Sequence, residues 1–318
     1  MKRILFFILL PFITKAQQTT QFSQYTLNKL GNNPAAAGVS LKTPIEFIMG
    51  QRTQWLGTGN GPKTGFVGIN YTRIPKRSYK RWHNFGVYFE QDNAGAINST
   101  SIFLSYAVHR RITSKFNASV GIFGGVRNYN VGLNSSQLSD PVVQKTNAQN
   151  GVWLMPDVYP GIRVYNRKSF YDLSVRQVST PKIKRASKQI GGPSVLTPHM
   201  YFSAGRKIYY DRGFCFIPSM QVHGAFGKLP SIEGNLMINY RSFISVGAGM
   251  RNIDFAIFML QARVFTNAVF GIAFDYSINR YNTVAPMTLE FMIGWTPYFD
   301  FKETDMKRHV SACPQFDY

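Results

Sequence analysis

The chain has 318 residues, 44% of them hydrophobic and 15% aromatic, and its 36 Lys and Arg against 15 Asp and Glu give a net charge of +21. That length holds two soluble domains or one barrel. Two cysteines are too few for a disulfide framework, and no C-x-x-C or Cys/His cluster has zinc-ligand spacing, so small disulfide scaffolds and zinc modules are excluded.

The first element is an export signal. Lys2 and Arg3 precede the short apolar run 4–13, and Thr14-Lys15-Ala16 offers a small residue for cleavage. Cleavage is predicted after Ala16, so residues 1–16 are a signal peptide. Losing Lys2, Arg3 and Lys15 leaves 33 basic and 15 acidic residues, a mature charge of +18. In a cytosolic chain such charge would suggest nucleic acid; on an exported chain the partners are lipopolysaccharide and other membrane phosphates, or acidic glycans and proteins, and no nucleic acid. Residues 17–43 form a polar N-terminal segment, periplasmic or lodged as a plug.

Fourteen strands are predicted after residue 43, near 44–56, 63–73, 83–91, 99–111, 116–130, 157–166, 168–177, 199–210, 213–226, 231–241, 243–251, 254–265, 268–280 and 286–298. In 270–280, Phe270, Ile272, Phe274, Tyr276 and Ile278 alternate with Gly271, Ala273, Asp275, Ser277 and Asn279. A period of two puts the sets on opposite faces. An aromatic-rich face opposite a small polar one fits lipid outside and a crowded lumen inside. Met287 to Trp295, Phe214 to His223 and Ser101 to His109 repeat the pattern; 254–265 is apolar on both faces and sets no register. The predicted fold is all-β, a transmembrane antiparallel barrel of about fourteen strands over 44–298, with a periplasmic tail at 299–318. Pro160 and Pro218 fall on the outward face, where a paired strand tolerates them only at a bulge or an end.

The longest gaps, 131–156 and 178–198, fall on one side and the shortest turns on the other. Outer-membrane barrels keep short turns in the periplasm, which places both termini there. On that side Arg73, Lys76, Arg77, Lys80 and Arg81 form the most basic stretch, either a solvated rim or a docking surface for a periplasmic partner. Glu46, Arg52, Arg127, Arg163, Asp172, Arg176, Asp275 and Glu290 are assigned to the lumen by parity. A fourteen-stranded barrel is too wide for its own walls to fill, so water or a plug occupies it. Cys215, near the start of the ninth strand, and Cys313, in the tail, are a candidate disulfide. His109 and His223 face inward, with Ser105 and Asp275 as conceivable triad partners, but a polar lining is the expected role. No phosphate loop, metal spacing or nucleotide fingerprint occurs, and neither catalysis, a metal nor a cofactor is expected.

Two stretches stand out as motifs: Gln21-Phe22-Ser23-Gln24-Tyr25 with Asn33-Pro34-Ala35-Ala36-Ala37-Gly38, then Arg52-Thr53-Gln54-Trp55-Leu56-Gly57 with Gly61-Pro62-Lys63-Thr64. These segments resemble the PorP/SprF family of the type IX secretion system, outer-membrane proteins of Bacteroidota. Asp92-Asn93-Ala94-Gly95, Ser105-Tyr106-Ala107 and Phe274-Asp275-Tyr276-Ser277 extend the resemblance. It differs where the family often carries a G-S-H-E-like segment: Ala285 to Glu290 keeps only the glutamate. The resemblance implies a non-enzymatic role in export or surface attachment of cargo, including gliding adhesins with type B C-terminal domains, beside other components of the machine. An outer-membrane diffusion channel or FadL-like transporter is the alternative, and an outer-membrane hydrolase a third option.

Overall fold

The computed structural model describes residues 20–39, 44–58, 61–73, 80–95, 97–131, 151–179, 182–183, 194–195, 197–210, 213–225, 228–264, 267–278 and 286–297, and counts and absences below refer to these. Fourteen strands form the wall: β1 (Ile45–Thr53), β2 (Lys63–Arg73), β3 (Arg81–Ala94), β4 (Ile97–Arg111), β5 (Asn117–Val131), β6 (Gly151–Tyr165), β7 (Ser169–Arg176), β8 (His199–Arg206), β9 (Phe214–Ala225), β10 (Ser231–Tyr240), β11 (Ile244–Arg251), β12 (Phe255–Val264), β13 (Ala268–Ser277) and β14 (Met287–Trp295). Each pairs antiparallel with the next, and β14 returns to β1 with Trp295 opposite Phe47, closing the ring. Closure removes the free edges that hydrocarbon cannot tolerate. No helix among the described residues is long and apolar enough to cross a membrane; the strands do the crossing.

The alternation predicted for β13 holds residue by residue. Val269, Gly271, Ala273, Asp275 and Ser277 are buried inside, while Phe274 and Tyr276 are exposed outside. The ambiguous β12 also resolves. Ile257 and Met259 turn inward and form a small apolar cluster with Cys215, Ile217, Met237 and Ala273, while Phe258 and Leu260 face out. Outward aromatic pairs gather at the end with short connections: Phe47 with Trp295, Phe85 with Tyr106 and Phe214 with Tyr240, at centroid distances of 5.2, 5.2 and 4.8 Å. Such pairs form a girdle at a membrane interface.

One boundary needs correction. The sixth strand starts at Gly151 rather than near 157, because its ladder with β5 runs on to Val131 opposite Gly151. Pro160 precedes Gly161, where the β6–β7 ladder ends, and Pro218 falls in a break between the Gly205–Ser219 and Ile208–Phe216 pairs. Each missing N–H therefore falls where pairing with one neighbour is absent. Cys215 is buried on the inner face of β9; Cys313, Lys76, Arg77, the cleavage site and the tail lie outside the described residues.

The facing pattern gives a direct test. Leu104, 65% exposed near the middle of β4, is expected to cost about 2–4 kcal/mol when replaced by arginine at the bilayer midplane. Denaturant unfolding in vesicles of Leu104→Arg against wild type measures this; an unchanged midpoint would place Leu104 away from lipid.

Candidate functional site

Residues 20–39 lie among the inward side chains of the wall and bind them nearly all the way round. The segment is mostly irregular, with one helical turn at Lys29–Asn32 and one 3-10 turn at Pro34–Ala36. An irregular chain leaves backbone groups unpaired, and these must find partners when buried. The barrel supplies them.

At the start of the segment, the Ser23 and Gln24 N–H groups donate to the Glu290 carboxylate at 2.8 and 3.1 Å. The Ser23 hydroxyl donates to Asp275 at 2.6 Å and accepts from Arg251 at 2.5 Å. Arg52 ion-pairs with Glu290 and with Asp275, the latter at 3.0 Å, and Arg251 reaches Asp275 at 3.0 Å and Glu233 at 2.8 Å. Strand register builds this network: Arg52 is directly opposite Glu290, and Glu233 opposite Arg251. Asp275, two strands from either arginine, joins the two pairs. Phe22 packs edge-on against Phe66 of β2 at 4.9 Å on another side of the interior.

Farther along, Lys29 meets Glu46 at 2.9 Å, and the Asn28 amide donates to the Tyr88 hydroxyl at 2.9 Å. Arg176 donates to the Gly31 carbonyl, and the Asn32 carbonyl accepts from Ser174 at 2.8 Å. The Asn32 side chain donates to Ser203 at 3.2 Å and accepts from Gln221 at 2.9 Å. The segment then enters a notch. Gly121 of β5 and Gly161 of β6 are directly opposite each other. A Cβ on Gly121 would come within 2.5 Å of the Ala35 nitrogen, and one on Gly161 would collide with the Asn33 side chain. Asn33 caps the following turn by accepting from the Ala35 N–H at 2.9 Å and donates to the Ile162 carbonyl at 2.9 Å. Pro34 occupies the first position of that turn, where its absent N–H is not needed. Gly38 has φ +71°, with Asn84 where a side chain would stand, and its carbonyl accepts from the Trp82 indole at 2.9 Å. A small polar cavity of about 10 Å³, room for one water molecule, remains between the segment and β7–β9, lined by Tyr25, Asn28, Asn32, Arg176, Tyr201 and Gln221 among others.

A family model described as type IX secretion system membrane protein PorP/SprF matches residues 14–295. The chain belongs to that family. The PorP/SprF barrel is also similar in fold to the toluene transporter TbuX of Ralstonia pickettii, at 11% identity over 86% of this chain and 94% of that one, with a TM-score of 0.53. A mutant of the monoaromatic hydrocarbon channel TodX gives 9% identity, 86% and 94% coverage and a TM-score of 0.51. These likenesses establish an outer-membrane barrel fold. No curated protein matches the chain.

The eight charged residues assigned inward are all buried, and Gln21 to Tyr25, Asn33, Pro34, Gly38, Arg52 and Asp275 come together inside the barrel. Gln54 and Trp55 do not join them; they form the turn after β1, with Trp55 exposed and at φ 54°. Arg73, Lys80 and Arg81 are exposed on the rim. His109 contacts the Tyr165 hydroxyl at 3.0 Å and stacks on Trp82, while Asp275 is held by Arg52, Arg251 and Ser23, so the triad entertained for His109 is not assembled. Glu233, Arg251, Lys29 and the facing glycines escape a reading of the sequence. Inward parity marks the first two as lumen-facing, but their partners depend on register.

Arg52→Ala removes the counter-ion of Glu290, leaving it only the Ser23 and Gln24 N–H groups, and leaves Asp275 with a single arginine; the loss is expected to be roughly 3–5 kcal/mol in denaturant unfolding. Gly121→Ala is expected to cost about 1–3 kcal/mol by overpacking and to raise hydrogen exchange within 20–39 more than in the wall. Uniform exchange across segment and wall would argue against the notch.

Proposed function

We propose that this PorP/SprF protein is a non-enzymatic outer-membrane component of type IX secretion whose lumen is closed by its own residues 20–39. It supports export or surface attachment of a cargo such as a gliding adhesin with a type B C-terminal domain, and it contacts other parts of the machine. The supporting observation is the interior itself. Ser23, Gln24, Lys29, Gly31, Asn32 and Asn33 all bond to wall residues, and these bonds would have to break before a wide aqueous path opened. In this reading the short connections face the periplasm and the long ones the cell surface, after export by a cleaved signal peptide.

Deleting the gene is expected to abolish surface display of one type IX cargo without an uptake defect. Affinity purification from native membranes should recover type IX proteins; recovery of none would count against the role. In planar bilayers the wild-type barrel is expected to conduct little, and Arg52→Ala with Arg251→Ala to conduct more. Large steady conductance from the wild type would favour the diffusion-channel alternative.

A further inference from the structure

Inside the barrel, three ladder positions set an arginine opposite a carboxylate: Arg52 with Glu290, Arg251 with Glu233 and Arg163 with Asp172. On the outside the opposite occurs. Arg81 of β3 is directly opposite Arg110 of β4, and both are exposed. Arg73 lies on the adjoining strand β2, two residues beyond Tyr71, and is exposed as well. Like charges facing each other across an antiparallel pair destabilise it. No carboxylate of the described residues pairs with any of the three. The sequence supplies none nearby either, since 47–89 and 93–139 contain no Asp or Glu.

Their position indicates what does. The three guanidiniums end outward rows that run through Val67, Ile69 and Tyr71 on β2, through Phe89, Val87 and Phe85 on β3, and through Ile102, Leu104 and Tyr106 on β4, all exposed. Tyr106 is fixed by a 2.8 Å contact to His83 and packs on Phe85. Apolar rows meeting lipid tails, an aromatic level, then arginines is the order in which a membrane changes from hydrocarbon to headgroup. A guanidinium binds phosphate through two parallel N–H donors, and one phosphate between Arg81 and Arg110 turns a repulsive pair into a bridged one.

We infer that Arg73, Arg81 and Arg110 form a binding site for the phosphate of an anionic phospholipid, whose acyl chains lie along the apolar rows of β2–β4. Lys80, exposed beside Arg81, adds a fourth cation. Continuity with the lipid-facing surface favours a lipid over an acidic protein. The choice of phospholipid rather than lipopolysaccharide rests on the short-connection end facing the periplasm.

Native mass spectrometry of the whole barrel in neutral detergent, titrated with phosphatidylglycerol, phosphatidylethanolamine or lipid A, tests this. Phosphatidylglycerol is expected to bind tightest. R81Q/R110Q removes two guanidinium donors to the phosphate and should weaken binding about tenfold or more, whereas R81K/R110K keeps most of the affinity. R206Q/R241Q, which changes exposed arginines elsewhere on the same rim, should leave it within about twofold. Equal affinity in wild type and R81Q/R110Q would overturn the site. So would tighter binding of lipid A, equal binding of phosphatidylethanolamine, or displacement of the lipid by equimolar inorganic phosphate or polyglutamate.

Discussion

An ion taken out of water is tolerated when an opposite charge and enough hydrogen bonds replace its hydration, and this condition organises the interior of the barrel. Among the described residues the buried ions divide evenly. Lys29, Arg52, Arg127, Arg163, Arg176, Lys207 and Arg251 stand against Glu46, Glu90, Asp157, Asp172, Glu233, Asp275 and Glu290. A balanced lumen inside so basic a protein means that the excess charge lies elsewhere. No Asp or Glu is fully exposed among the described residues, and only Asp92 and Asp254 are part-exposed, so the fully exposed charge there is cationic. Seven of the described acids are buried inside beside the seven buried cations.

The same condition accounts for the two densest sequence motifs. Gln21 to Tyr25 reads as an ordinary polar stretch until its neighbours are known. Ser23 then supplies a hydroxyl and an N–H to an arginine–carboxylate cluster that brings β1, β11, β13 and β14 together. The Asn33 to Gly38 motif answers a different demand, close approach of backbone to backbone. Ala35, Ala36 and Ala37 are fully buried, and larger side chains would not pass the paired glycines of β5 and β6. One motif binds by charge and the other by the absence of bulk.

Period-two alternation made the wall legible, since a strand between lipid and lumen must sort its side chains by face. Even β12, apolar on both faces, runs from Phe255 to Val264 where 254–265 was predicted, although its register could not be read. Alternation carries no information about which inward residue meets which. Arg52 and Glu290 are 238 positions apart, and their pairing follows from the closing register of β14 on β1. The glycines of the notch were invisible for a related reason: each is ordinary in its own strand, and only the β5–β6 register sets Gly121 against Gly161. The start of β6 was misplaced because ladder length depends on the neighbouring strand.

The bonds of Ser23 carry a consequence for how the molecule assembles. Its partners Arg251, Asp275 and Glu290 lie 228, 252 and 267 residues downstream, while Ser119 and Tyr88 hold the middle of the same segment from much nearer in sequence. Contacts between residues so distant in sequence form late, because the intervening chain must first be ordered. Residues made near the beginning of synthesis therefore wait for those made at its end, and the start of the segment settles only once the last strands have found the first.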